Sequence, residues 1–342
     1  MPKFRFQGPM AARLRSLWTI NAIAVTTFAR HLVGRRMTPD WDAQMEIGIR
    51  YWRHQHAVFM RAEDKAKARV QFEALLTETD DHYDVSVEQV IAPRGTWYRP
   101  AIRRGDSVVL HFHGGGCGLH SGISKRFAAM LAHRLQCPVF APDYRLTPEH
   151  PHPAQAEDAM TAWHYMTGHV PPERLVVTGD SAGGHMALML LQALAAEGLA
   201  QPSLCVGLCP WTDIGDRGES LRMNDRYDLV QGWMAIEFGQ WLDPQGLFDR
   251  EALSPSFYDY AGLAPIYLQA GGREVLRDMI IEFAKIQRRN GALIALDIWP
   301  DMPHEFQAYD RMTVASTEAL GRMAEAVQSR SLPPPIRNTL GD

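Results

Sequence analysis

Cysteine is scarce in this chain: four residues in 342, at positions 117, 137, 205 and 209. They form no C-x-x-C pair and lack the density of a disulfide scaffold. They read as buried free thiols in a reducing compartment, which suits a cytoplasmic protein. An excess of positive charge is also missing. The net charge of −4 leaves no global basic field and argues against nucleic acid as a partner. Neither G-x-G-x-x-G nor G-x-x-x-x-G-K-[ST] occurs, so the common phosphate-cradling loops are absent. There is no internal repeat and no low-complexity tract. The uncharged stretch from Ser16 to Ala29 is 14 residues long and rich in Thr and Asn, short for a membrane span. No clear small-x-small cleavage site follows it.

One absence is local. Residues 1–39 contain no acid, yet carry Lys3, Arg5, Arg13, Arg15, Arg30, Arg35 and Arg36. Leu14, Leu17, Trp18, Val25, Phe28 and Leu32 recur between them at helical spacing. Two readings stand side by side. In the favoured one the helix packs its apolar stripe on the body of the protein as part of a cap. In the other, residues 1–36 lie on an anionic membrane surface as a peripheral contact.

Two glycine-rich stretches dominate what is present. His113-Gly114-Gly115-Gly116 follows the apolar run Val108–Phe112, and Gly179-Asp180-Ser181-Ala182-Gly183-Gly184 follows Leu175–Thr178. Each reads as a strand that stops at glycine. The second fits G-x-S-x-G, a turn that presents a serine hydroxyl at a sheet edge, and good helix formers follow it. The first fits a loop whose backbone N–H groups receive an oxyanion. Together they point to acyl transfer by Ser181.

Elsewhere strands and helices alternate. Strands are expected at 107–112, 138–142, 174–178, 204–209, 265–270 and 292–298, and helices at 124–135, 153–167, 183–197 and 276–290. Residues 85–91 and Trp97-Tyr98 read as two further short strands, and 41–76 as helix. This pattern predicts an α/β fold with a mainly parallel central sheet covered by helices on both faces. Functional residues belong at the carboxyl ends of its strands. The crossover between Asp213 and Leu263 is too long for a simple connection. Its helix-like centre, Leu229–Leu242, would join the N-terminal helices as a lid. The expected division is a helical cap segment at 1–80, a catalytic domain at 81–330 with a cap insertion near 214–262, and a short tail at 331–342.

Over about residues 80–325 the chain resembles the hormone-sensitive-lipase-like esterases of the α/β-hydrolase fold. The resemblance rests on His113–Gly116, Asp143–His150, Gly179–Gly184, Pro210-Trp211-Thr212-Asp213 and Pro303-His304-Glu305-Phe306, in the family's order. It implies a serine carboxylic ester hydrolase acting through a covalent acyl-enzyme, with a small-molecule ester as substrate and no metal or cofactor. Ser181 would be the nucleophile, His304 the base and Glu274 the acid. Asp278 is the rival acid, one helical turn on. The backbone N–H groups of Gly114, Gly115 and Ala182 would form the oxyanion hole, and His113 would anchor that loop. Asp143, Arg145 and Glu149 would form a buried polar brace. Cys117, His120 and Trp211 are candidates for the substrate pocket. Cys117 and His120 stand where the family usually has an aromatic residue and a glycine. The same scaffold also supports amide or acetyl-amine hydrolysis, and a non-catalytic small-molecule receptor, which would lack the histidine that is present here.

Overall fold

A computed structural model describes residues 4–5, 8–74, 76–77 and 83–334. The expected C-terminal tail from residue 335 lies outside the described residues. A two-residue ribbon pairs β1 (Phe4–Arg5) with β2 (Leu76–Thr77). The main sheet has eight strands: β3 (Val85–Ile91), β4 (Arg94–Pro100), β5 (Val108–Phe112), β6 (Val139–Pro142), β7 (Leu175–Asp180), β8 (Leu204–Leu208), β9 (Ile266–Gly271) and β10 (Ile294–Trp299). Their order is β10-β9-β8-β7-β5-β6-β4-β3. β3 pairs antiparallel with β4, and β4 with β6; all other pairs are parallel.

The helices are α1 (Met10–Leu32), α2 (Ala43–Arg61), α3 (Lys65–Phe72), α4 (Gly122–Leu135), α5 (Ala154–Thr167), α6 (Ala182–Ala196), α7 (Ser220–Met223), α8 (Gly232–Leu242), α9 (Arg277–Arg289) and α10 (Val314–Ser329). Side chains alternate along the central strands and so feed two cores. Val108, Leu110 and Phe112 of β5 pack on one side with Trp163 of α5, Leu188 of α6 and Phe283 of α9. Val109 packs on the other with Met130 of α4 and Met323 of α10. Both faces are therefore covered, which is why strands such as β5, β7 and β8 are buried along their whole length.

The N-terminal helix differs from the expectation that its apolar stripe would pack inward. Within α1 the buried residues are Ala12, Ser16, Thr19 and Thr27, and the helix rests on α2. Small side chains let the two backbones approach, and Gln55 of α2 reaches the Ser16 hydroxyl at 3.4 Å. The stripe of Leu14, Trp18, Val25, Phe28 and Leu32 faces outward. The expected continuous helix over 41–76 is broken at 62–64, where Asp64 caps a new start by accepting from the Lys67 N–H.

Candidate active site

Strand β7 ends at Asp180 and α6 begins at Ala182, so Ser181 must make the whole turn. It does so at φ 52° and ψ −117°, a conformation that costs a non-glycine residue roughly 1–3 kcal/mol. Three backbone hydrogen bonds hold it there. The Ser181 N–H donates to Leu208 O at 2.9 Å, and its carbonyl accepts from His185 N at 3.1 Å and Trp211 N at 3.0 Å. Glycine at 179 and 183 is a steric requirement. A Cβ on Gly179 would meet the Gly183 backbone, and one on Gly183 would meet the Phe112 carbonyl.

His304 follows β10 and Glu274 follows β9, adjacent parallel strands. Their side chains meet, with His304 Nδ1 3.0 Å from Glu274 Oε2. Both residues are buried. The other ring nitrogen, Nε2, has no hydrogen-bond partner among the described residues. Burial alone would lower the His304 pKa, but the hydrogen bond that its Nδ1–H donates to Glu274 and the charges of Glu305, Glu274 and Asp228 outweigh it and lift the imidazole to about 9. Asp278 is engaged elsewhere, accepting from the Ser220 N–H at 2.8 Å and binding Arg277.

Ser181 and His304 line one small cleft of about 40 Å³, together with Gly115, Gly116, Trp211 and Phe238. Gly115 has φ 97°, a region open to glycine. Ala182 opens α6, so its N–H is among the donors that a helix start leaves without intrahelical partners. Gly114 departs from the expected set. Its N–H donates to Asp180 Oδ2 at 2.9 Å and is not free for a ligand. Gly116, which the sequence reading passed over, stands in the cleft wall instead.

The oxyanion-type loop is pinned from behind. Tyr144 donates its hydroxyl to His113 O at 2.7 Å, and His113 Nδ1 donates to Gly114 O at 2.8 Å. The His113 ring lies stacked between Tyr144 and His120, with centroids 4.1 and 4.2 Å away. Burial keeps its pKa well below the ordinary histidine value, so it is a neutral anchor. His120 is therefore a stacking partner, 3.7 Å from Asp143, and does not line the cleft. Trp211 does line it. Cys117, fully buried at φ 56°, lines a separate apolar cavity of about 400 Å³ with Met186, Leu190 and Leu242. The two spaces abut: Gly116 and Trp211 face one, while Cys117 and His185 face the other, and the Trp211 and His185 rings are 5.6 Å apart.

The expected polar brace is not buried. Arg145 is half-exposed and bonds Asp158 and Glu157. Glu149 pairs with Arg69, which also donates to Gly118 O and Thr147 O at 2.8 and 2.7 Å. That arginine ties α3 to the turn after the glycine loop.

Four site residues escaped the sequence reading. Asp180 binds Gly114 and lies 3.2 Å from His111 Nε2. Glu305 lies 3.8 Å from His304 Nε2 and hydrogen-bonds Asp180; burial and the Asp180 charge raise its pKa to about 8. Asp228, from the long crossover, is fully buried and accepts from Val275 N at 2.7 Å and His304 N at 3.0 Å. His56, from α2, lines the cleft, with burial lowering its pKa to about 4. Asp180 and Glu305 sat inside motifs already singled out. Asp228 and His56 carried no local signal.

Cys209, Glu274 and His304 bring three potential ligand atoms within 4.8 Å of one another. Burial holds the Cys209 thiol protonated, and the other two are committed to each other. This donor set does not suit a metal ion, which takes thiolate sulfur.

Residues 109–308 match the family model described as the alpha/beta hydrolase fold. An acetyl-hydrolase of Streptomyces hygroscopicus is 33% identical over 222 residues, covering 62% of this chain and 72% of that protein. An ethyl acetate hydrolase of Pseudomonas putida is 28% identical over 294 residues, covering 79% of this chain and 91% of that protein. Among solved structures, an esterase of the bacterial hormone-sensitive lipase family superposes with a TM-score of 0.68 at 25% identity, covering 91% of this chain and 98% of the other. The chain belongs to the α/β-hydrolase family, on its hormone-sensitive-lipase-like esterase branch.

Proposed function

We propose that this carboxylesterase-type hydrolase cleaves small carboxylic esters through an acyl-enzyme formed on Ser181. The observation that carries the reading is the His304–Glu274 pair. Nδ1 is held 3.0 Å from Glu274, while the unpartnered Nε2 belongs to the cleft shared with Ser181. Nε2 takes the hydroxyl proton as Ser181 Oγ attacks the ester carbonyl, and Glu274 stabilises the imidazolium without taking the proton. The oxyanion is received by the N–H groups of Gly115, Gly116 and Ala182. Collapse of the tetrahedral intermediate expels the alcohol, which takes the proton from His304. Water then enters, gives its proton to Nε2 and attacks the acyl carbonyl. Collapse of this second intermediate breaks the bond to Oγ, which takes the proton back from Nε2 as the acid leaves, so that Ser181 and neutral His304 are both restored.

The cap of this reading comprises the N-terminal helices and the crossover near 214–262. His56 from the first and Leu229, Val230, Ala235 and Phe238 from the second line the cleft. A space of about 40 Å³ favours short acyl groups, in keeping with relatives named for acetyl and ethyl acetate hydrolysis. A fluorophosphonate probe tests the nucleophile directly. The wild type is expected to be labelled and Ser181→Ala left unlabelled. Labelling of the mutant would move the nucleophile elsewhere. A panel of p-nitrophenyl esters beside matched anilides reads the leaving group; faster anilide turnover would convert the assignment to an amide hydrolase.

A further inference from the structure

Helix α1 is mounted inside out. It meets α2 through Ala12, Ser16, Thr19 and Thr27, whereas Leu14, Trp18, Val25, Phe28 and Leu32 are 59, 74, 69, 55 and 88% exposed. These five follow one another at steps of four, seven, three and four residues, a single stripe along a 23-residue helix. Scattered exposed apolar side chains are ordinary, but a contiguous stripe of this kind marks a surface that something covers.

The stripe is bordered by charge of one sign. Arg15, Arg30, Arg35 and Arg36 are exposed, and residues 1–39 contain no acid. Arg15, Arg35 and Arg36 form no ion pair among the described residues. The acid beneath the helix, Glu46, is fully buried and already faces His31 and Arg50 at 2.9 Å and Arg30 at 3.8 Å. A second copy docked face to face through α1 would set arginine against arginine. In the antiparallel arrangement Arg15 would oppose the Arg30–Arg36 end with no acid between them. An anionic surface satisfies the apolar stripe and the basic border together. It is met lying flat, because no described helix is long and apolar enough to cross a membrane.

We propose that α1 docks the protein on anionic phospholipid, with the Leu14–Leu32 stripe inserted at the boundary between headgroups and acyl chains. Trp18 sits at the interface, and the arginines lie over the lipid phosphates. Helix α2, which seats α1, also supplies His56 to the catalytic cleft, so the lipid-facing surface and the cleft share one supporting helix.

Co-sedimentation of the full chain with phosphatidylcholine vesicles, with and without phosphatidylglycerol, tests this. Binding is expected to the anionic vesicles, weaker on neutral ones, and falling as salt shortens the screening length. The triple substitution Leu14→Asp, Trp18→Asp, Phe28→Asp is expected to lower vesicle affinity about tenfold or more while leaving the far-UV circular dichroism unchanged. A second variant, Arg15→Gln, Arg35→Gln, Arg36→Gln, is expected to erase the preference for anionic lipid. Failure of the wild type to sediment with either vesicle overturns the proposal. So does equal binding by the wild type and a folded triple-Asp variant. A lipid-free dimer that the same Asp substitutions dissociate would assign the face to a second copy instead.

Discussion

His304 is held by three acids of unequal standing. Glu274 makes the hydrogen bond, Glu305 lies 3.8 Å from the opposite ring nitrogen, and Asp228 accepts from the backbone N–H. All three favour the imidazolium, which moves the base above the ordinary range of about 6–7 that an unperturbed histidine would give. General-base catalysis requires neutral imidazole. kcat/KM for a small ester is therefore expected to rise with pH through a midpoint displaced upward towards about 9. Glu305→Gln removes one of the charges that raise His304, so the midpoint of that variant is expected to fall. An unchanged midpoint would show that the Glu305 charge does not reach Nε2. The assignment of the acid is tested at the same scale. Glu274→Gln is expected to cut kcat by roughly 10³–10⁴, because the amide cannot stabilise the imidazolium. Asp278→Asn, whose carboxylate serves Ser220 and Arg277, is expected to leave kcat nearly intact. The reverse ranking would transfer the role to Asp278.

Among the elements, the parallel strands were the most legible in the sequence. Their two-sided burial writes itself as mostly apolar runs, as in Val108–Phe112 and Leu175–Thr178, with glycine close behind each. The candidate residues near strand ends were legible from their place in the motifs: Ser181 follows β7 directly, Glu274 stands three residues past β9 and His304 five past β10. What sequence position could not settle was which backbone donors stay free. Gly114 and Gly115 are adjacent and chemically identical, and only the fold brings Asp180 against the first. The orientation of α1 was also illegible, because a stripe at helical spacing has the same pattern whether it faces a core or a surface. Cys117 stood out in the sequence as a small residue after the glycine loop, and the structure places it in the wall of the cavity beside the cleft. Cys117→Phe is expected to fill part of that space. Turnover of p-nitrophenyl acetate should change little, while the octanoate should lose about tenfold or more of its kcat/KM, the scale of discrimination that a few methylenes command. Equal losses on both esters would show that the cavity takes no acyl chain and that the substitution disturbs the glycine loop itself.

Across the whole molecule, the loops that carry the proposed acid and base are fixed by segments far away in the chain. Trp41 donates its indole N–H to Asp301 O at 2.7 Å, linking the N-terminal region to the loop that carries His304. Asp228 does more. Its Oδ2 accepts from Val275 N, next to Glu274, and its Oδ1 accepts from Leu229 N and His304 N. One buried carboxylate from the cap insertion thus sets the spacing of the proposed acid and base, although it touches neither reacting atom. Burial raises its pKa to about 7, so the group is costly to keep charged, and its three donors are what compensate it. Asn at this position keeps one oxygen acceptor and places an NH₂ against a backbone N–H. Leaving a buried donor unpaired costs about 1–3 kcal/mol, so Asp228→Asn is expected to lower Tm by several degrees. A merely structural role would end there. A positioning role predicts in addition a fall in kcat at unchanged KM. It also predicts that Asp228→Asn adds little further loss to Glu274→Gln, because both act on the same imidazole. Full additivity of the two kcat losses in the double variant would separate Asp228 from the proposed triad and leave it as a strut of the cap alone.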